Sequence, residues 1–296
     1  MITRRRFTSG ACLAAVACGF AARLARAAGG FSDNLASDLV KIEAESGGRL
    51  GVAALDTLTG TRSMHRADER FPMCSTFKLL AAGAILARVD AGKESLDRRV
   101  RFQARDLLAY SPITKDRTGA DGMTLAELCE AALTMSDNTA ANLLLAALDG
   151  PAGVTAYARA LGDGVTRLDR IEPDLNEAVP GDPRDTSSPS AMASNLQSLV
   201  LGNALSAVSK DQLGRWLIAN KTGDARLRAG LPSGWRVGDK TGSGERGTTN
   251  DIGIIWPPGR APLLVVAYLT ETSKSGEQRN ATLAAVGRAV ADALER

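Results

Sequence analysis

Residues 71–220 of this 296-residue chain read in helical period, and the segments on both sides of them read in strand period. Before the block, "RLGVAALD", a "TLTG" turn and "TRSMHRAD" form a β-hairpin pattern; after it come "WRVGDKTGSG", "TNDIGIIWP" and "PLLVVAYLT". A lone hairpin is marginal in water. The simplest architecture therefore joins both ends in one antiparallel sheet of about five strands, in the range usual for sheets. Helices from "SDNLASDLVKIEAESG", with Ser32 or Asp33 as N-cap, and from "EQRNATLAAVGRAVADALE" can cover it. This predicts an α/β fold, a three-layer sandwich with an inserted all-α domain. Residues 28–70 plus 221–296 would form the sandwich and 71–220 the insertion, with a cleft at their junction.

Within the block, helices are predicted at "STFKLLAAGAILARV", "TLAELCEAAL", "NTAANLLLAAL", "GVTAYARAL", "SPSAMASNLQSLVLG" and "SKDQLGRWLIAN". Ser188 before Pro189 marks one start, and Ser209 with Gln212 reads as a capping box at another. The stretch "RIEPDLNEAVPGDPRDTSSP" carries four prolines and cannot be regular structure. A loop of that length, here residues 170–185, is usually functional.

The first 27 residues hold five arginines and no acid around a short apolar run, ending in "ARA". That is the layout of a cleaved export signal, and "TRRRF" fits the twin-arginine type. A lipid anchor at Cys18 is the alternative. Removing this segment takes the net charge from +3 to −2, so no basic excess points to nucleic acid or to a membrane surface. A periplasmic or secreted protein, monomeric and with no membrane segment in its mature form, is expected. Of four cysteines, Cys74 and Cys129 remain, both in apolar patterns and read as buried free thiols.

The chain has one histidine, His65, in the first hairpin. A solvated strand histidine is the simpler reading, so a Ser-His-Asp triad is not expected. "FPMCSTFKLL" places Ser75 three residues before Lys78. On a helix these share a face, and the apolar neighbours would lower the lysine pKa toward that of a useful base. Backbone N–H groups at the helix start could meet an oxyanion. By itself S-x-x-K is a weak signal. Two further tripeptides each occur twice: S-D-N at 32–34 and 136–138, K-T-G at 221–223 and 240–242. The first S-D-N reads as a helix cap, and the first K-T-G as a helix end with Gly223 as C-cap. The second copies lie between two helices and on a strand, where side chains can line a cleft.

S-x-x-K, S-D-N and K-T-G together resemble the serine β-lactamase and penicillin-binding protein superfamily. "EPDLN" at 172–176, in the proline-rich loop, is similar to the Glu-x-x-Leu-Asn loop of its class A β-lactamases, and Glu172–Pro173 is a candidate cis bond. The likeness covers essentially all of the mature chain. It implies that Ser75 attacks the β-lactam carbonyl of a penicillin or cephalosporin, with the N–H groups of Ser75 and Ser243 as oxyanion hole. Lys78 and Glu172 would share the base duty, and Ser136, supported by Lys240, would protonate the leaving nitrogen. Asn138 would hold the substrate side-chain amide, while Glu172 and Asn176 position the deacylating water. Thr241 and Ser243 would bind the substrate carboxylate, and Tyr110 would stand at the cleft mouth. Arg170 and Asp185 resemble the ion pair that closes the loop. No cofactor or metal is implied, and the partner is a small-molecule β-lactam.

The chain departs from that pattern in places. Thr249 stands where many members carry an arginine, and Arg226 resembles the alternative source. A disulfide from Cys129 would need the position of Ala82, and one from Cys74 the position of Gly244. Cys74 with Ser243 resembles the cephalosporin-active branch. The nearest rival is a D-alanyl-D-alanine peptidase of the same fold, which lacks a deacylating base such as Glu172. A β-lactam-sensing domain would need a spanning segment, and no run of about 20 apolar residues exists.

Overall fold

A computed structural model describes residues 34–119 and 121–295. A first helix, α1, covers 34–46 and leads into the hairpin β1 (Arg49–Asp56) and β2 (Arg62–His65). The N-cap expected at Ser32 or Asp33, the first S-D-N copy it belongs to, and the export signal lie outside the described residues. A two-residue strand, β3 (Phe71–Pro72), precedes α2 (Phe77–Asp90). Then come β4 (Arg99–Val100), β5 (Met123–Thr124), α3 (Leu125–Thr134), α4 (Asn138–Ala147) and α5 (Pro151–Ala160). After the proline-rich loop follow β6 (Thr186–Ser187), α6 (Pro189–Val200), α7 (Ala207–Ile218) and α8 (Leu227–Gly230). Strands β7 (Arg236–Ser243), β8 (Thr249–Trp256) and β9 (Leu263–Thr270) and helix α9 (Gly276–Glu295) complete the chain.

Both ends of the sequence meet in one antiparallel five-stranded sheet of order β2-β1-β9-β8-β7. The central pair runs from Arg49 opposite Thr270 to Asp56 opposite Leu263. Every residue of β9 is buried, as an antiparallel strand requires only when both of its faces are covered. Alternation sorts them: Leu263, Val265, Ala267 and Leu269 face Leu35 and Leu39 of α1 and Val286 and Val290 of α9. Leu264, Val266 and Tyr268 face the other way, into a core shared with α2, α6 and the remaining helices. Short ribbons pair β3 with β6 and β4 with β5.

Two local expectations need correction. Helix α7 starts one turn before the predicted box: Ser206 is the N-cap, its hydroxyl accepting from the N–H of Ser209 at 3.2 Å. Gly223 is not a C-cap, because α7 already ends at Ile218 and the N–H of Lys221 donates to the carbonyl of Thr134. Its glycine has a different cause: a Cβ there would sit 1.8 Å from Oδ2 of Asp239. Ser188 does cap α6, accepting from Ala191 N–H with Pro189 next in line.

Candidate active site

The segment before Ser75 is fixed from two sides. Strand β3 pairs with β6, and the side-chain amide of Asn250 on β8 donates to the carbonyls of Pro72 and Met73 at 2.8 and 3.1 Å. A 3₁₀ turn over Cys74–Thr76 then enters α2, with Cys74 at φ +46°, a conformation that costs a non-glycine residue free energy. The Ser75 hydroxyl caps neither turn nor helix; it donates to Oε1 of Glu172 at 3.0 Å. Cys74 beside it is wholly buried, and burial pushes its thiol up, away from reactivity.

Lys78, on the first turn of α2, has no exposed surface. Its amine meets the same Glu172 Oε1 at 3.1 Å and donates to Asn138 Oδ1 at 2.7 Å and to the Ser136 carbonyl at 2.8 Å. Burial lowers its pKa; the nearby carboxylates of Glu172 and Asp137 pull the other way. Serine and lysine thus converge on one carboxylate oxygen instead of meeting only each other.

Ser136 occupies the left-handed region at φ +55° between α3 and α4. Asp137 fixes that corner: it caps α4 by accepting from Ala140 N–H and also takes the N–H groups of Ile113 and Thr114. The Ser136 hydroxyl receives two amines, Lys240 at 2.9 Å and Lys78 at 3.3 Å. Lys240, on β7, is also fully buried, and burial followed by the charges of Lys78 and Arg226 holds its pKa well below the ordinary lysine value. A hydroxyl between two such amines can give up a proton and be resupplied.

Glu172 comes from the proline-rich loop, which turns at a cis Glu172–Pro173 bond and a 3₁₀ turn over Asp174–Asn176. Asn142 of α4 holds its backbone on both sides, accepting from its N–H at 3.0 Å and donating to its carbonyl at 2.9 Å. Asn176 donates to Oε2 at 2.5 Å. Arg170 and Asp185 close the loop at 2.6 Å, and Asp185 Oδ1 also accepts the N–H groups of Asp169 and Arg170.

The opposite wall is the end of β7. Arg226 donates to the carbonyls of Gly242 and Asn250 and to the Ser243 hydroxyl at 2.7 Å, and Asn280 accepts from its Nε. Gly244 has no room for a side chain: a Cβ would lie 2.6 Å from the Cys74 sulfur and 2.7 Å from the Asn176 carbonyl oxygen.

Together these groups line a cavity of about 340 Å³ whose walls include Ser75, Tyr110, Ser136, Asn138, Asn176, Arg226, Thr241 and Ser243. Lys78, Glu172 and Lys240 lie buried directly behind it. All eleven residues singled out from the sequence therefore meet at one place. The sequence reading missed Thr222, which also lines the cavity, and the supporting Asn142 and Asn250; Asp137 stood in the S-D-N motif without a role of its own. His65 is not a solvated histidine: its ring is mostly covered and Nε2 meets Glu43 of α1 at 2.7 Å. Cys74 and Cys129 are free and buried. Among the described residues no cluster could hold a metal ion, and no helix is long and apolar enough to cross a membrane.

Comparison with known proteins points the same way. A family described as "Beta-lactamase enzyme family" matches residues 32–294. The chain is 52% identical over 261 residues to β-lactamase CTX-M-8 of Citrobacter amalonaticus, covering 88% of this chain and 89% of that one. It is 51% identical over 254 residues to β-lactamase AST-1 of Nocardia asteroides, covering 86% and 82%. Among solved structures, an ancestral class A β-lactamase superposes with a TM-score of 0.86 at 64% identity, covering 88% of this chain and 99% of that one.

Proposed function

The chain belongs to the β-lactamase enzyme family, in its class A branch, and from that premise we propose that it opens the amide of penicillins and cephalosporins through an acyl-enzyme on Ser75, conferring antibiotic resistance. One observation carries the reading: the Ser75 hydroxyl and the Lys78 amine share a single oxygen of a buried glutamate. Lys78 and Glu172 share the base duty: the Ser75 proton passes to this pair as the Ser75 oxygen bonds to the lactam carbonyl carbon, and the oxyanion falls to the N–H groups of Ser75 and Ser243. The C–N bond breaks as Ser136 protonates the ring nitrogen; Lys78 restores the Ser136 proton and itself receives the one that left Ser75, so that Glu172 is again a carboxylate. Glu172 and Asn176 then hold a water, Glu172 takes its proton, and the ester is hydrolysed with the proton returned to Ser75.

Substrate placement follows from the walls. Thr241, Ser243 and Arg226 take the carboxylate that these antibiotics carry, Asn138 takes the side-chain amide, and Tyr110, half exposed, flanks the entrance. The Arg226 guanidinium, bonded to the Ser243 hydroxyl at the end of β7, suits an anionic substrate. We also assign the α/β sandwich to residues 28–70 plus 221–296 and the helical domain to 71–220, with the cleft between them. The mature protein acts as a periplasmic or secreted monomer after loss of residues 1–27.

Intact-mass measurement after brief mixing with a penicillin tests the nucleophile. A Glu172→Ala variant is expected to carry one added penicillin mass, and the Ser75→Ala, Glu172→Ala double variant none. An adduct on the double variant would remove Ser75 from its role.

A further inference from the structure

The first K-T-G copy, passed over in the sequence, ends beside the second. Thr222 Oγ1 lies 2.5 Å from Thr241 Oγ1, and both line the cavity. The direction of that hydrogen bond can be read from what lies behind it. The N–H of Thr222 points at one side-chain atom of Asn220 at 3.0 Å. A backbone N–H only donates, so that atom is the amide oxygen. The Asn220 NH₂ then faces Asp239 Oδ2 at 2.6 Å, on a carboxylate also paired with Arg228. The same Asn220 oxygen stands 2.8 Å from the Thr222 hydroxyl and can only accept from it. A hydroxyl has one proton. With it given to Asn220, Thr222 must accept from Thr241. The chain of donors runs Thr241 to Thr222 to Asn220 to Asp239, away from the cleft.

We propose that Thr222 is a positioning residue for recognition of the substrate carboxylate, acting by reversing this chain. The proposal rests on the reading that Thr241 binds that carboxylate. When the anion arrives, Thr241 turns its proton onto it, and Thr222 turns its own from Asn220 onto Thr241. The Asn220 oxygen keeps the Thr222 N–H, so no buried acceptor is left bare. The hydrogen-bond count is conserved, and the charge-assisted bond gained by the substrate carboxylate offsets the loss of the proton between the Thr222 and Asn220 oxygens. The hydroxyl of Thr222, not its shape, is the working part, and it acts only on substrates that present an anion to Thr241.

The test compares a chromogenic cephalosporin with its carboxylate methyl ester, using Thr222→Val, Thr222→Ser and Thr241→Val. Thr222→Val, which keeps shape and loses the hydroxyl, is expected to raise KM for the acid about three- to tenfold, the range of one neutral hydrogen bond, with kcat little changed. Thr222→Ser restores KM, and the ester shows no response to Thr222→Val. KM does not depend on the fraction folded, so a destabilised variant remains informative. An unchanged or lowered KM, or an equal effect on the ester, overturns the role of Thr222. If Thr241→Val also fails to separate acid from ester, it is the carboxylate reading itself that falls.

Discussion

Asp185→Asn isolates the charge that holds the catalytic loop. Asp185 is buried, at φ +56°, a conformation asparagine tolerates as well as aspartate. The replacement can keep its oxygen toward the N–H groups of Asp169 and Arg170, now at 2.8 and 2.9 Å. Its NH₂ would then face Arg170 Nε where Oδ2 accepts at 2.6 Å, donor against donor. Losing a charge-assisted bond costs about 1.5–3 kcal/mol, and stranding a buried charge about 3–5 kcal/mol. Arg170 keeps Glu177 at 2.6 Å, itself nearly half exposed, so a total near the lower figures, about 2–4 kcal/mol, is expected. For a domain of this size that lowers Tm by about 5–12 °C, readable by circular dichroism or calorimetry. Glu172, two residues on, retains Asn142 as its second anchor. Deacylation should therefore slow by about 10- to 100-fold, the scale of a small misplacement, with acylation less affected. A Tm within about 2 °C of the parent and an unchanged deacylation rate would refute the loop argument.

Two further substitutions probe the scaffold. Gly223→Ala drives a methyl into the Asp239 carboxylate and breaks its bonds to Asn220 and Arg228. It should cost about 3 kcal/mol or more in urea unfolding, whereas Gly214→Ala on α7, with open space around it, should be neutral or stabilising by up to about 1 kcal/mol. Asp163 tests pH dependence: burial pushes its carboxyl up, but donors from Thr166, Asn195 and Val165 outweigh burial and lower it. A lowered folded pKa means stability fully present above the unfolded value of about 3.9 and lost as pH falls through the folded one. The Tm gap between parent and Asp163→Asn should be constant from about pH 7 to 5 and shrink below about pH 4, and a gap independent of pH would contradict this.

The sheet was legible because strand period returns only at the two ends, and burial on both faces of β1 and β9 follows from their unbroken apolar runs. The α7 start was misplaced because Ser206 and Ser209 both suit a cap, and only backbone geometry separates them. His65 looked solvated because its partner, Glu43, stands on α1, a contact that hairpin alternation does not encode. Gly223 suggested a helix end, but the crowding that demands glycine comes from Asp239 on a later strand. The candidate site was legible because S-x-x-K, S-D-N, K-T-G and "EPDLN" occur together and resemble one family; the Ser75 to Lys78 spacing alone is weak. Of its supports, Asp137 stands inside the S-D-N motif and caps α4 locally, whereas Asn142, Asn250 and Thr222 act across elements and carry no local signature. The one available trace of Thr222 was the duplicated tripeptide itself.

The central claim is that Glu172 makes the Ser75 acyl-enzyme let go. Glu172→Gln keeps an oxygen for Ser75 and leaves Lys78, which shares the base duty, to serve acylation, but it cannot take a proton from water. Rapid mixing of this variant with a chromogenic cephalosporin should give a burst of one equivalent of product per enzyme. Steady turnover should then run about 10²- to 10⁴-fold below the parent, the usual worth of a general base. Steady-state turnover near the parent rate, with no burst, would contradict the account.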